Sequence, residues 1–284
     1  MELYCINDLH IDSHIKQAAN IRTVSTPKYK KFLADNTLPA DVLMIGGDIS
    51  HSLIGVVSLL VAAARMFNKV IWVPGNSEYR CWNAEANLST FEKLAKIDSF
   101  VKTLTKSGQV IRLDGNTTQL DNLVVGGGIG MADVKWFAKN DEEYSQEKAQ
   151  SVWESSPYRF WHLSNNNFEN ISNTEIDRVL KLKEKTPDYV MTHFAPSNLF
   201  KITDKYPNLQ SKAEKHFLAF DAKKLTDTLK DGAVYHFGHA HIKLKQTVKN
   251  KNGEFLLINN SIGRKTDLVD NPRHLTKQDF LLTF

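Results

Sequence analysis

Short apolar runs rich in Val, Ile and Leu, each followed by a small polar cluster, recur along the chain. Continuous apolar runs of this kind predict strands that are buried on both faces, as in parallel sheets. The runs are Leu3–Ile6, Val42–Ile45, Val70–Val73, Tyr189–Met191 and Ala233–Tyr235, with a further strand-like segment at Leu123–Val125. They predict that the first part of the chain forms a largely parallel sheet.

Three stretches between these runs have apolar residues spaced for one face of a helix. Leu53–Phe67 is the first, and Asp221–Leu229 is a shorter one, with Asp221 as a cap and Gly232 as a stop. In Ser89–Thr105 one face would carry Leu94, Ile97, Phe100, Val101 and Leu104. Strands alternating with helices predict right-handed crossover connections.

The end of the chain has a different pattern. Ile242–Val248 and Phe255–Asn259 flank the polar stretch Lys249–Gly253, which predicts a β-hairpin. Together with the alternating strands and helices, the hairpin indicates an α/β fold of two packed mixed β-sheets flanked by helices. We expect residues 1–284 to form this fold as a single domain.

Residues 131–182 depart from the alternating pattern and predict an inserted cap or lid. The segment lies between two strand-like runs and mixes aromatic residues with many charged residues and Asn. Aromatic side chains could stack on nucleobases, but they also fill ordinary cores and interfaces. Its aromatic residues are Trp136, Phe137, Tyr144, Trp153, Tyr158, Phe160 and Trp161.

Composition and charge place few limits on the partners of this protein. Of the 284 residues, 42% are apolar and 24% are charged, which is close to ordinary globular usage. The formal net charge of +4 comes without a dense block of Lys and Arg. A nucleic acid partner is therefore permitted but not indicated.

The cysteines and the apolar stretches favour a soluble, cytoplasmic protein. Cys5 and Cys81 have neither short-range pairing nor zinc spacing, which favours a reducing compartment. No basic leader with an apolar core precedes the first strand. The longest apolar run, around Leu59–Ala64, is too short to span a bilayer, so we expect no membrane partner. The oligomeric state is not indicated.

Seven polar side chains lie within a few residues of the carboxyl ends of the predicted strands. The loops of an open α/β sheet converge there on one crevice, where such sheets bind ligands. Two carboxylates, one amide and four imidazoles suit two divalent ions that share a carboxylate. Ligation by N and O without thiolates indicates Mn, Fe, Zn, Co or Ni rather than Ca. The seven residues are Asp8, His10, Asp48, Asn76, His193, His239 and His241.

The order of these residues resembles that of the calcineurin-like metallophosphoesterase superfamily. Five short blocks occur in the family's order across residues 8–241, and the neighbouring Thr192–Ser197 is similar to a bacterial or phage branch of the family. One such block would be weak evidence, but five in order, each at a strand end, are strong. The blocks are Asp8-x-His10, Gly47-Asp48, Gly75-Asn76-x-Glu78, an isolated His193, and Gly238-His239-x-His241.

The resemblance implies an αββα sandwich and a division of the ligands between two divalent ions, with Mn, Fe or Zn expected first and Ni or Co possible. It further implies hydrolysis of a phosphate mono- or diester by one-step attack of a metal-bound hydroxide. One ion would be held by Asp8, His10 and His241. The other would be held by Asn76, His193 and His239, with Asp48 bridging the two ions.

One block departs from the family pattern. The family usually has Gly-Asn-His-Asp/Glu, whereas this chain has Ser77 between Asn76 and Glu78. The family's His stabilises the phosphoryl charge and protonates the leaving oxygen. A serine hydroxyl is a very poor acid near pH 7, and general acid catalysis contributes about 10²–10⁴-fold. Ser77 therefore stands at a catalytic position with altered chemistry.

Three explanations of Ser77 stay open. The chain can be an inactivated variant in which the metal site is intact. A different residue can supply the proton, and His51, three residues after Asp48, is the candidate, while Arg80 can contact the substrate and stabilise charge. The substrate can also have an acidic leaving group, as a nucleotide or pyrophosphate does, which needs little protonation.

The leading functional prediction is a dinuclear-metal phosphoesterase that acts on a phosphorylated small molecule or a nucleotide. A nuclease is an alternative, but it would require a basic groove that the modest charge does not suggest. The other alternative is a catalytically inactive metal-binding protein that sequesters a phosphorylated ligand or contacts a partner. Ser77 is its only support, and the intact set of seven ligands argues against it.

Overall fold

In the computed structural model, two mixed β-sheets form the centre of the protein. The structure describes residues 1–15, 24–81, 85–133, 168–197, 219–266 and 274–284, and the single positions 147, 151, 199, 269 and 271. The strands in these residues are β1 (Glu2–Ile6), β2 (Val42–Ile45), β3 (Lys69–Trp72), β4 (Val110–Arg112), β5 (Asn116–Leu120), β6 (Leu123–Gly128), β7 (Tyr189–Thr192), β8 (Ala195–Pro196), β9 (Ala219–Phe220), β10 (Val234–Phe237), β11 (Lys243–Asn250), β12 (Gly253–Asn260) and β13 (Leu281–Thr283).

Both large sheets have a parallel centre, with one antiparallel edge strand in the first sheet and two in the second. The first has the order β13–β1–β2–β3–β4, in which only β13 is antiparallel to its neighbour. The second has the order β11–β12–β10–β7–β6–β5, in which the two outer strands are antiparallel. Strands β8 and β9 form a separate parallel pair. The parallel centre places the carboxyl ends of the neighbouring strands at one edge of each sheet.

Helices cover the outer faces of both sheets. Two of them begin at side-chain caps: Ser52 Oγ accepts from Gly55 N, and Ser89 and Glu92 form a capping box. No helix among the described residues is long and apolar enough to cross a bilayer. The helices are α1 (Ile11–His14), α2 (Pro27–Asn36), α3 (Leu53–Ala64), α4 (Asn76–Tyr79), α5 (Thr90–Leu104), α6 (Phe168–Leu180) and α7 (Lys223–Thr226), with 3₁₀ turns at Lys181–Lys185 and Lys277–Phe280.

The apolar core has an inner and an outer part. The inner part lies between the two sheets and takes residues from both, such as Met44 and Ile71 from the first and Met191 and Ile258 from the second. The outer part joins the opposite sheet faces to the helices. Strands buried on both faces explain why the sequence shows continuous apolar runs rather than an alternating pattern.

The fold class predicted from the sequence is confirmed, because two mixed sheets flanked by helices form an αββα sandwich. The predicted C-terminal hairpin is also present as β11 and β12. The predicted helix at Asp221–Leu229 is shorter than expected. It spans only Lys223–Thr226, and the chain continues in single turns such as the bond from Thr228 N to Leu225 O, 3.0 Å.

The apolar face predicted for α5 is too wide. Ile97 and Val101 are buried, but Phe100 and Leu104 are 44% and 45% exposed. Helical spacing alone placed all of them on one face, whereas only part of that face meets the neighbouring α3 and the sheet. How much of an apolar helix face is buried depends on the surface that packs against it, and the sequence of the helix alone does not describe that surface.

Most of the predicted cap, residues 131–182, lies outside the described residues. Its last part forms α6, whose Ile176 and Val179 are buried in the outer core, as is Leu182 just beyond the helix. A Cβ on Gly128 of β6 would lie 3.0 Å from Val179 Cγ2, which shows how closely this helix approaches the sheet. Residues 168–182 therefore belong to the helical layer. A cap formed by the rest stays a prediction.

The two sides of α5 lead to a prediction about stability. Ile97→Ala should lower the free energy of unfolding by about 2–5 kcal/mol, because it removes a fully buried side chain and leaves a cavity. Phe100→Ala, on the same helix, should change it by about 0.5 kcal/mol or less. Urea unfolding monitored by circular dichroism measures both values. Equal losses in the two variants would contradict the burial described for this helix.

Candidate metal centre

The seven sequence-predicted residues all lie at one edge of the two sheets. Each follows or begins near the carboxyl end of a parallel strand, so the sheet topology alone brings together residues up to 233 positions apart in the chain. Asp8 and His10 follow β1, Asp48 follows β2, Asn76 begins α4 after β3, His193 follows β7, and His239 and His241 follow β10.

The backbone at this edge is bent in an uncommon way. Five of the seven residues have a positive φ, a region that non-glycine residues seldom occupy and that costs of order 1–3 kcal/mol each. The values are 52° at Asp8, 38° at His10, 54° at Asp48, 65° at His239 and 45° at His241. Such strain concentrates at functional sites, and here it turns successive side chains towards one point.

The side chains form two adjacent clusters that could each hold a metal ion. In one, Asp8, His10 and His241 present ligand atoms within 4.8 Å of one another, and the Nε2 atoms of the two imidazoles are 3.0 Å apart. In the other, Asp48, His193 and His239 do the same. Asn76 joins this second cluster, because its Oδ1 lies 3.0 Å from His193 Nε2.

Asp48 stands between the two clusters. Its Oδ2 lies 3.5 Å from His10 Nε2, and its Oδ1 lies 3.5 Å from His193 Nε2. Burial acts to raise the pKa of Asp48, but His193 and His10 lower it more, so the pKa lies well below its usual range. A carboxylate with one oxygen facing each group is the arrangement that a bridging ligand requires.

The imidazoles are held in the state that metal ligation requires. His193 Nδ1 lies 2.9 Å from the carbonyl of Gly46, so it carries the proton and leaves Nε2 with a lone pair directed at the centre. Burial lowers the pKa of His10 to about 4 and that of His239 to about 3. Both rings are therefore neutral near pH 7, and the donor set fits divalent ions.

Glu78 holds together the two loops that carry Asp48 and Asn76. Its buried carboxylate accepts four backbone N–H groups, at 2.7–3.0 Å, and makes no bond to an imidazole. Because carboxylate acceptors form strong hydrogen bonds to amides, this one side chain fixes both loops. The four donors are the amides of Asp48, Ile49, Ser50 and Gly75.

Two glycines permit the close approach of these loops. A Cβ on Gly75 would collide with the backbone N and with Oδ1 of Asp48. A Cβ on Gly47 would lie 2.7 Å from His193 Nδ1, and Gly47 also has a φ of 86°. The glycines of the two sequence blocks are therefore required by packing at the centre.

Asn7 and Ser261 position Asp8, and no sequence motif pointed to either residue. Asn7 Nδ2 donates to Asp8 Oδ2 at 2.7 Å, and Ser261 Oγ also donates to that oxygen. The backbone of Asn7 pairs with Ser261 in an isolated parallel bridge that joins the first sheet to the second. Asp8 Oδ1 accepts from His239 N at 2.9 Å and lies 3.9 Å from His241 Nε2, so it faces the centre. The two residues are 254 positions apart, so only the folded chain reveals the contact.

Ser77 lies at the centre, but its side chain makes no hydrogen bond within the described residues. Its backbone N–H donates to Asp48 Oδ1 at 2.7 Å. The side chain is fully buried, and its Oγ has no hydrogen-bond partner within the described residues. Burying an unpaired hydroxyl costs about 1–3 kcal/mol, so the residue is not there for stability.

His51 lies beside the first cluster, and Arg80 is a buried residue near His51. The ring centroids of His51 and His10 are 6.5 Å apart, and Arg80 is 7% exposed. Burial and the nearby Arg80 guanidinium lower the pKa of His51 to about 4. His51 is thus a neutral imidazole near pH 7. It can donate or accept a hydrogen bond, but it does not carry an additional proton.

A comparison of this chain with models of protein families identifies its family. The model described as calcineurin-like phosphoesterase matches residues 1–243. The chain belongs to that family. It is therefore a metal-dependent phosphoric ester hydrolase by class, and the family implies divalent metal ions. A search for relatives among curated proteins returned no match.

A solved structure resembles this phosphoesterase in fold. The phosphopantetheinyl hydrolase of Mycobacterium tuberculosis has a TM-score of 0.63 and 14% identity, over 96% of this chain and 98% of that protein. A protein of unknown function from Aquifex aeolicus has a TM-score of 0.31 and 10% identity, over 80% of this chain and 93% of that protein. The first similarity supports the sandwich fold, and the second carries no argument.

Metal binding by the phosphoesterase should depend on His193. His193→Asn removes the imidazole shared by Asp48 and Asn76, so the affinity for a second Mn²⁺ ion should fall at least about 100-fold, the upper end of what changes around a metal ligand cost. His274→Asn is the matched control, because His274 is exposed and also has a positive φ. Isothermal titration calorimetry measures both. Unchanged binding of two ions by the His193 variant would contradict the ligand assignment.

Proposed function

We propose that the protein is a dinuclear-metal phosphoesterase that hydrolyses a phosphate mono- or diester of a small molecule or nucleotide with an acidic leaving group. The observation that carries the proposal is the position of Asp48, with one oxygen 3.5 Å from an imidazole of each cluster. A carboxylate in that position supports two ions side by side, as phosphoryl transfer with two metals requires.

Seven residues would hold the two ions. Asp8, His10 and His241 would bind the first, Asn76, His193 and His239 the second, and Asp48 both. When bound, two such ions would supply an activated water and would neutralise charge on the phosphoryl oxygens. Mn²⁺, Fe or Zn²⁺ suits these nitrogen and oxygen donors, with Ni²⁺ or Co²⁺ as further candidates.

The chain's own residues orient the substrate from the open side of the centre. Asp8 and His193 are fully buried, whereas the side chain of His241 is 23% exposed and His239 and His51 are partly exposed. A phosphate ester would therefore approach past these three imidazoles. His51 lies at this side beside His10, and the Arg80 guanidinium is near enough to His51 to lower its pKa, so an imidazole N–H and a guanidinium could bind the phosphoryl oxygens there.

Ser77 determines which leaving groups the site can release during hydrolysis. Its hydroxyl cannot donate a proton readily near pH 7, and the neutral His51 does not carry an additional proton to replace it. A leaving group that departs as a stable anion needs no proton from either residue. A nucleotide or pyrophosphate product has this property, whereas a simple alcohol does not, and this supports substrates of the first kind.

The prediction concerns the dependence of turnover on the leaving group. With Mn²⁺ bound, the chain should hydrolyse an aryl phosphodiester or a nucleotide pyrophosphate at least about 100-fold faster than an alkyl phosphodiester, because general acid catalysis is worth about 10²–10⁴-fold. Ser77→His should speed the alkyl ester by a similar factor and the aryl ester much less. Steady-state kinetics on a panel that includes nucleotides and a phosphopantetheinyl ester measures this difference.

Ser77→Ala is the matched control, because it removes the hydroxyl and keeps the volume small. It should behave like the unaltered chain, since Ser77 Oγ makes no hydrogen bond within the described residues. Efficient turnover of alkyl esters by the unaltered chain would show that another residue supplies the proton. Binding of phosphate esters without any turnover would favour a protein that sequesters its ligand.

A cytoplasmic location is part of the same proposal. Both cysteines are free thiols, and both are buried. Free thiols are typical of proteins in reducing compartments.

A further inference from the structure

Lys93 on α5 is a buried cation at the back of the centre. Its side chain is fully buried, which is rare for lysine unless the ammonium is paired. Its ammonium donates to the carbonyls of His51 and Arg80, both at 2.6 Å, and forms an ion pair with Glu85, whose Oε2 lies 3.0 Å away. No sequence motif pointed to this residue.

The acceptors identify what Lys93 holds. His51 lies on the loop after Asp48, and Arg80 lies directly after α4, which begins with Asn76. The two carbonyls thus come from the two loops that carry ligands of the second cluster. Because one ammonium binds both, the relative position of His51 and Arg80 is set by a single side chain.

His51 is held from both sides of its peptide. Its N–H donates to Asp12 Oδ2 at 2.7 Å, while its C=O accepts from Lys93. The partner of Lys93, Glu85, accepts from Leu53 N at 2.6 Å through its other oxygen. The turn from His51 to the start of α3 is therefore fixed by an ion pair and one carboxylate, which is more than a solvent-facing turn needs.

We propose that Lys93 is a positioning residue for phosphoryl binding: through the His51 and Arg80 carbonyls it fixes the two side chains that bind the phosphoryl group beside the metal centre. Burying an ion pair seldom improves stability relative to apolar residues, so its use here is explained by the geometry it imposes. The inference rests on the proposed function. It assigns phosphoryl binding to His51 and Arg80, which would stabilise the phosphoryl charge in place of a histidine at position 77.

Inorganic phosphate is the probe, and Lys93→Met together with Glu85→Gln is the variant. The pair removes the ammonium without leaving an unpaired buried carboxylate, and the glutamine oxygen can still accept from Leu53 N. The Mn²⁺-loaded variant should bind phosphate about tenfold more weakly, because a hydrogen bond from a charged group to the phosphoryl oxygens is misplaced. Isothermal titration calorimetry measures phosphate affinity and metal stoichiometry in the same preparation.

Lys96→Met is the control for loss of a lysine from the same helix, because Lys96 lies on its exposed side. The paired Lys93 and Glu85 variant leaves the net charge unchanged, so a weaker phosphate affinity there would not be an effect of net charge. Lys96→Met should leave phosphate affinity unchanged. Equal phosphate affinity in both variants, or loss of the metal ions from the Lys93 variant, would overturn the positioning role.

A double-mutant cycle separates positioning from general damage. If Lys93 acts through Arg80, then Arg80→Met should weaken phosphate binding in the native background and add little in the Lys93 variant. Additive effects would overturn the inference. If the unaltered chain binds metal and phosphate but hydrolyses no ester, the proposed function fails, and the phosphate affinities still decide the role of Lys93.

Discussion

The carboxylate of Glu78 is the interaction on which the centre depends. It accepts four backbone amides from the loops that follow β2 and β3, and so holds Asp48 and Asn76 at a fixed separation. Without these bonds, the strained backbone at Asp48, with a φ of 54°, would lack the support that such strain requires. The position of the bridging carboxylate then fixes where two ions can lie.

The packing of the two sheets is also linked to the candidate metal centre, through a group of buried hydrogen bonds. Asn7 connects Asp8 to Ser261 and to His236, and the bonds extend through Tyr189 OH to Cys5 in the space between the sheets. The group is buried, and each hydrogen bond is stronger where water is excluded. The centre is thus coupled to the packing of one sheet on the other, which explains how a metal site is assembled from loops of both.

The strands and the seven candidate ligands were predictable because both follow from local signals. Apolar runs predict buried strands, and a polar cluster at the end of each run predicts where the loops meet. The contacts of Asn7, Ser261 and Lys93 were not predictable, because their partners lie far away in the chain. The exposure of Phe100 and the short α7 also depend on neighbouring surfaces, which a periodic pattern does not describe.

Ser77, which stands where the family pattern has a histidine, divides the proposed chemistry of the site into two parts. The candidate metal ligands, their orienting partners and the loop bonds to Glu78 involve Ser77 only through its backbone N–H. Proton supply to the leaving group would need its side chain, which makes no hydrogen bond within the described residues. Metal binding and attack on phosphorus can therefore be retained while the range of leaving groups narrows. In the role proposed for Lys93, its bonds to the His51 and Arg80 carbonyls would preserve phosphoryl binding at the same place.

The most direct test is hydrolysis of an aryl phosphodiester measured against the number of Mn²⁺ ions bound to each chain. The account predicts that turnover appears only when the second ion binds, because Asp48 has one oxygen facing each cluster. It further predicts that Asp48→Asn abolishes this step. Full turnover with one ion bound, or no turnover with two, would contradict a dinuclear phosphoesterase.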